Sequence, residues 1–363
     1  MRVYIKFPWK FIDSSYYNSL INYPPKKVKF IGISKKESGV VTSRTKLVLL
    51  TNLKKIVRKN LEKVHLGIPN AHIFLINKNL KIDLIHCAHC MIFTNHPWVM
   101  DLEASWQLWI GKPNNFSFFV ARKLLLAKNM KKIIPWTNTT KEEVVNHFPL
   151  LKEKLEVVYP AVPLPKIKRK RRKKLTILYV SRYFWIKGGL IALEVLERLK
   201  EKYDIREVFI SDVPKSIKEK YKNLNIIELV SHKKLVETYF PQSDIFFYPS
   251  FVDTFGFALL EAMSFGLPIV TVNTKFTKSR KEIITNQNGF IIDIPYSINY
   301  YKIRKKEEVL IRKIVDRISL LIENSSLRKK MGKYGRKLIE KGKFSIRERN
   351  KKLKRIYEEA LRK

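Results

Sequence analysis

Apolar residues fall along this chain in two rhythms. Short runs dense in Val, Ile, Phe and Tyr, bounded by polar or chain-breaking residues, recur at 3–7, 28–33, 72–76, 83–89, 98–103, 132–136 and 155–159. Runs of that length and make-up predict buried strands. Between them, 50–61, 116–130 and 140–148 place apolar residues at helical spacing and predict helices. The alternation restarts with strand-like runs at 175–180, 208–211, 226–230, 245–248 and 269–272, helical stretches lying between them. Three charged amphipathic helices, 309–323, 326–341 and 346–362, follow. Strands alternating with helices predict parallel sheets covered on both faces. Two such series predict an α/β chain of two doubly wound, Rossmann-like domains, with a cleft at the carboxyl ends of the strands.

The pattern breaks at residues 160–165 (PAVPLP), and residues 166–174 then hold eight basic side chains in nine. A solvated hinge and a nucleic-acid tract compete for that run. The hinge is favoured because a buried strand starts at once with Leu175. The expected organisation is therefore a first domain at 1–165, a basic linker at 166–174, a second domain at 175–345 and a terminal helix at 346–363. A length of 363 residues, 45% of them apolar, suffices for two cores. The net charge of +41 implies a polyanionic partner, an anionic membrane, or a host whose proteins are rich in Lys. Lys, Ile and Asn are all plentiful, which fits the last. Two cysteines suggest a reducing compartment without a disulfide framework. The first ten residues lack the apolar core of a secretory signal, and no apolar run approaches the roughly 20 residues that span a bilayer. A cytoplasmic protein is expected.

The most informative stretch is residues 249–273, PSFVDTFGFALLEAMSFGLPIVTVN. It predicts a strand end stopped by Pro249, a tight turn, about two turns of apolar helix, and a second buried strand. Backbone N–H groups of Thr254, Phe255 and Gly256 at the start of that helix suit a phosphate. Asp253 precedes the turn, and Glu261 lies eight residues on in an otherwise apolar helix. A carboxylate there is costly unless something satisfies it. The bland reading makes Asp253 an N-cap and Glu261 a brace for a neighbouring loop.

The stretch resembles the E-x7-E segment of family-4 glycosyltransferases, the retaining nucleotide-sugar enzymes of the GT-B fold, with Asp253 for the usual first Glu. The resemblance implies that Asp253 and the turn at Phe255, Gly256 and Phe257 hold the donor sugar, and that Glu261 takes the nucleotide ribose. Residues 178–189, LYVSRYFWIKGG, resemble the family's G-R-x-x-x-x-K-G segment, with Ser181 for the usual Gly. Arg182 and Lys187 carry over as the cations that match the donor diphosphate, beside Gly188 and Gly189 at a helix start. A departing diphosphate needs such charge as the glycosidic bond breaks. The last helix is similar to the GT-B element that crosses back to the first domain.

In the first half the resemblance is patchier. PWVMDLEA aligns Glu103 with a family His that contacts the donor sugar. Glu103 as a hydroxyl or oxocarbenium contact and Glu103 as a structural acid stand side by side. HCAHC at 86–90 offers too few ligands for structural zinc. The resemblance makes His86 and His89 acceptor-side candidates instead. No D-x-D metal motif occurs, so metal-independent transfer, with no cofactor, is expected. FSFFVARKLLLAKNM at 116–130 is a core-facing helix by default, and a membrane-docking surface in the competing reading. The function expected is retaining transfer from a UDP- or GDP-sugar to a glycan, glycolipid or lipid-linked acceptor, with peripheral attachment to the membrane's inner face in the lipid case. A basic nucleic-acid-binding protein and a degenerate glycosyltransferase that only binds sugar nucleotide are the alternatives.

Overall fold

The structure, a computed structural model, describes residues 1–6, 15–33, 66–74, 81–170 and 172–362, with isolated positions at 56, 60 and 63. Most of the helix expected at 50–61, and the ends of the strands expected at 3–7 and 72–76, lie outside the described residues. Backbone contacts divide the chain into two units, residues 1–161 with 346–363, and residues 162–345. The basic run at 166–174 belongs to the second unit. Lys170 donates its backbone N–H to the Pro241 carbonyl at 2.8 Å, Arg169 meets Asp244 at 2.8 Å, and Arg172 donates to Gln242 at 2.6 Å.

The first unit opens with β1 (Arg2–Lys6), α1 (Ser15–Asn22), β2 (Lys29–Ile31), β3 (Gly67–Pro69) and β4 (Ala71–Ile73). It continues with β5 (Leu84–Ala88), β6 (Met91–Phe93), β7 (Trp98–Leu102), β8 (Trp109–Gly111), α2 (Asn115–Leu126), β9 (Met130–Pro135) and α3 (Asn138–His147). Five strands form a parallel sheet in the order β2-β1-β5-β7-β9. Strands β5 and β7 are buried at every position, as their unbroken apolar runs require.

Two expectations are corrected in this unit. Residues 155–159 do not form a strand. Glu156 and Val158 donate to the Ile133 and Pro135 carbonyls, but a second bridge would need an N–H from Pro135, which has none. The cysteines are not free thiols either. Cys87 and Cys90 form a disulfide at the end of β5, where a left-handed His89 (φ 55°) brings their Cα atoms to 5.6 Å.

The second unit carries β10 (Leu175–Val180), α4 (Gly189–Lys202), β11 (Ile205–Ile210), α5 (Lys215–Lys220), β12 (Ile226–Ile227) and α6 (His232–Lys234). Then come β13 (Ile245–Tyr248), α7 (Phe257–Ser264), β14 (Ile269–Asn273), α8 (Arg280–Ile283), β15 (Gly289–Asp293), α9 (Lys305–Glu323) and α10 (Ser325–Glu340). Its parallel sheet runs β12-β11-β10-β13-β14-β15. The apolar stripe of α4 (Leu193, Leu196, Leu199) and that of α9 (Ile311, Ile314, Ile318) are buried in one core. Arg198 of α4 clamps Glu308 of α9 with both nitrogens, at 2.7 and 2.8 Å. The chain then passes to α11 (Ile346–Leu361), which buries Leu353, Ile356 and Tyr357 in the first unit.

Candidate functional site

Strand order builds the site in the second unit. Since β10 and β13 are neighbours, the loops leaving their carboxyl ends, residues 181–188 and 249–256, rise side by side. One glycine lets them approach and a second shapes the turn of the other loop. Gly188 caps α4 at φ 74°, and a Cβ on it would lie 2.2 Å from the Pro249 carbonyl oxygen. Gly256 caps α7 at φ 89°, a left-handed conformation that sets the turn before the helix. Asp212, after β11, accepts from the backbone N–H groups of Tyr183 (3.1 Å) and Phe184 (2.9 Å) and so fixes the first loop.

Side chains of the two loops meet at Asp253. Lys187 Nζ donates to the Val252 carbonyl at 2.8 Å and lies 3.3 Å from Asp253 Oδ1. On the other oxygen, Oδ2, the Tyr248 hydroxyl donates at 2.9 Å and Arg280 Nη2 at 3.4 Å. Arg280 is 1% exposed, its Nη1 donating to Thr271 Oγ1 at 2.7 Å and its guanidinium lying over the Tyr248 ring. Burial first, and the Asp253 charge second, push the Tyr248 phenol well above its ordinary range, so it stays a donor. The segment after β14 braces the second loop, with Thr274 Oγ1 donating to the Phe251 carbonyl and Ser279 Oγ to the Thr254 carbonyl, both at 2.7 Å.

Glu261, half-buried on α7, is satisfied by His232 of α6, Nε2 to Oε1 at 2.8 Å. That hydrogen bond raises the His232 pKa above its usual value against the opposing effect of burial. Arg182 is exposed, while Phe255 is buried, so any contact of Phe255 with a ligand runs through its backbone. Of the residues singled out in the sequence, Lys187, Gly188, Asp253 and Gly256 come together where the two loops meet, and Glu261 pairs with His232. The structure adds Arg280, Tyr248, Asp212 and His232, none of which the sequence singles out. The tyrosine ends the apolar run of β13, and the other three lie in polar stretches without periodic signal.

In the first unit, Asp101 rather than Glu103 is the centre of a cluster. The Tyr17 hydroxyl donates to both Asp101 oxygens (2.8 and 2.9 Å), and the His89 N–H donates at 3.1 Å. Burial pushes the Asp101 carboxyl up, but His89, His86 and Tyr17 outweigh it and hold the group below its usual range. His86 is corrected as an acceptor contact. It is fully buried, Nδ1 2.7 Å from the Tyr357 hydroxyl and Nε2 3.7 Å from Asp101, so its ring locks α11 and cannot meet a ligand. The His89 side chain is 21% exposed. Glu103 follows β7, its N–H donating to Gln107 Oε1 at 2.9 Å and its carbonyl accepting from Thr140 at 2.8 Å.

Residues 163–338 match the family model described as Glycosyl transferases group 1. A protein of Haemophilus influenzae named as an uncharacterized glycosyltransferase is 28% identical over 193 residues, covering 51% of this chain and 50% of the relative. The chain thus matches about half of that relative's length. Among solved structures, a glycosyltransferase from Rickettsia africae aligns over 99% of this chain and 98% of its own, with TM-score 0.65 and 16% identity. Anabaena HepE, crystallised with UDP, aligns over 98% and 99%, with TM-score 0.59 and 13% identity. The fold is GT-B, and residues 163–338, within the second unit, match the family model of glycosyl transferases group 1.

Proposed function

We propose that this protein is a metal-independent, retaining family-4 glycosyltransferase that moves a sugar from a UDP- or GDP-sugar to a glycan, glycolipid or lipid-linked acceptor. The observation that carries the reading is the meeting of Lys187, Asp253 and the α7 N-terminus where the loops after β10 and β13 converge. A diphosphate is received by Arg182, Lys187, Gly188 and the backbone of Phe255, Gly256 and Phe257, cations and helix dipoles matching the charge that grows on the leaving group. Glu261 accepts from ribose hydroxyls. A carboxylate has about four lone-pair sites, so the His232 contact does not preclude this. Asp253 faces the donor sugar, with Glu103 as a second contact to that sugar from the first unit's side, and the acceptor side falls to His89. UDP bound to HepE, a protein of the same fold, supports the donor class.

A lipid-linked acceptor is favoured by α2, where Phe116 and Phe119 are 68% and 56% exposed on a helix that also exposes Arg122 and Lys123. The nucleic-acid reading loses ground because Arg169, Arg172 and Lys174 of the basic run each meet a side chain of their own unit.

Binding of UDP, GDP and their sugars to two variants tests the donor site. Glu261→Ala should weaken all of these ligands roughly 10- to 100-fold, the worth of hydrogen bonds to a charged group. Asp253→Ala should weaken only the sugar-bearing donors, and turnover should survive exhaustive EDTA treatment. Wild-type binding by both variants, or activity lost to EDTA and restored by Mn²⁺, would sink the assignment.

A further inference from the structure

Asp253 carries two cations where one would balance it, and the two differ in freedom. The Lys187 side chain is 15% exposed and ends on a flexible stem beside the loops. Arg280 is sealed in, pinned through Thr271 and stacked near the Tyr248 ring. One of them can leave and the other cannot.

We propose that Arg280 is the resident counter-ion of Asp253 and so a positioning residue for the donor. It keeps the carboxylate compensated while Lys187 transfers from Asp253 to the diphosphate. This rests on the reading above, in which Lys187 receives that diphosphate. Stripping a half-buried carboxylate of its last cation is strongly unfavourable, and the neutral Tyr248 hydroxyl does not balance its charge. Without Arg280, Lys187 would be held on Asp253 and the ligand would have to compete with the acid for it. With Arg280 in place, one carboxylate and two cations leave a net positive charge at the mouth of the site. Arg280 is too deep to touch the ligand, so its effect on binding runs through Asp253 and Lys187.

The test is calorimetric titration of the whole chain with UDP, GDP, UMP and GMP. Arg280→Met should weaken the diphosphates by about tenfold or more, while the monophosphates, which lack the second phosphate, change by less than about twofold. Arg280→Lys should keep most of the diphosphate affinity. Adding Asp253→Asn to Arg280→Met should restore it to the level of Asp253→Asn alone, because no acid then detains Lys187. Unchanged diphosphate binding in Arg280→Met, equal losses for mono- and diphosphates, or no rescue by Asp253→Asn would overturn the proposal. If Arg280→Met does not fold, the charge-balanced double variant decides. It must bind UDP or GDP within about twofold of Asp253→Asn, and a tenfold deficit refutes the idea. A wild-type protein that binds none of the four nucleotides overturns the site reading itself, and this inference with it. Wild-type binding with an indifferent Arg280→Met overturns the inference alone.

Discussion

Replacing Gly188 by Ala puts one methyl group where the two site loops touch. The residue sits at φ 74°, a left-handed conformation that costs an L-residue about 1–2 kcal/mol. Its new Cβ would lie 2.2 Å from the Pro249 oxygen, so the loop must retreat by nearly 1 Å. Overpacking of that kind adds a penalty of similar size, for a total of about 2–5 kcal/mol. Each kcal/mol moves the melting midpoint by about 2–4 °C in a unit of this size, so scanning calorimetry should record a fall on the order of 5–15 °C. Gly335→Ala is the control. On α10 its Cβ would meet the flexible Met263 side chain at 3.3 Å, and Ala is worth about 1 kcal/mol more than Gly within a helix. That variant should melt within a few degrees of wild type or above it. A Gly188→Ala protein as stable as wild type, or a larger loss from Gly335→Ala, would refute the claim that the loops are in contact through Gly188.

Two further outcomes follow from the charges. The His232 pKa is raised in the folded state, so its pairing with Glu261 stabilises fully below pH 6.5 and is lost as pH rises through the raised value. Because His232 is largely exposed, the difference in stability between wild type and His232→Ala should stay under about 1 kcal/mol at acidic pH and vanish at alkaline pH; a difference that grows with pH would contradict the pairing. Sedimentation with anionic vesicles should show binding at low salt that fades at high salt and on changing Arg122, Lys123, Lys128, Lys131 and Lys132 to Gln, each basic group contributing about 1 kcal/mol. Equal binding to neutral vesicles, or binding to neither, would favour an acceptor in solution.

The parts of the fold legible in the sequence are those specified by neighbours in the chain. Strand β13 is four apolar residues stopped by Pro249, and α7 lies between Gly256 and Gly266, both left-handed, so local pattern sets their ends. The loops after β10 and β13 are legible for the same reason, their residues standing at fixed short spacings. Arg280 could not be found that way. It lies among lysines in KFTKSRKEII, and its burial is decided by Thr271, Tyr248 and Asp253, which only the folded sheet brings to it. The apparent strand at 155–159 failed through one missing N–H on a different strand. His86 was misread because Tyr357, its partner, is 271 residues away.

That last contact bears on how the chain is made. The first unit is discontinuous, for α11 supplies Tyr357 to His86 and Arg349 to Ser19 Oγ at 2.8 Å, across the whole of the second unit. A ribosome adding about 5–20 residues per second needs about 10–40 s to pass from residue 162 to residue 345. For that interval the sheet of the first unit lacks its last helix, and the apolar surface meant for Leu353 and Ile356 is open to chaperones. The second unit is continuous and is fully made before α11 emerges, so it can close its core while the first unit, though its strands were made earlier, still waits for its last helix.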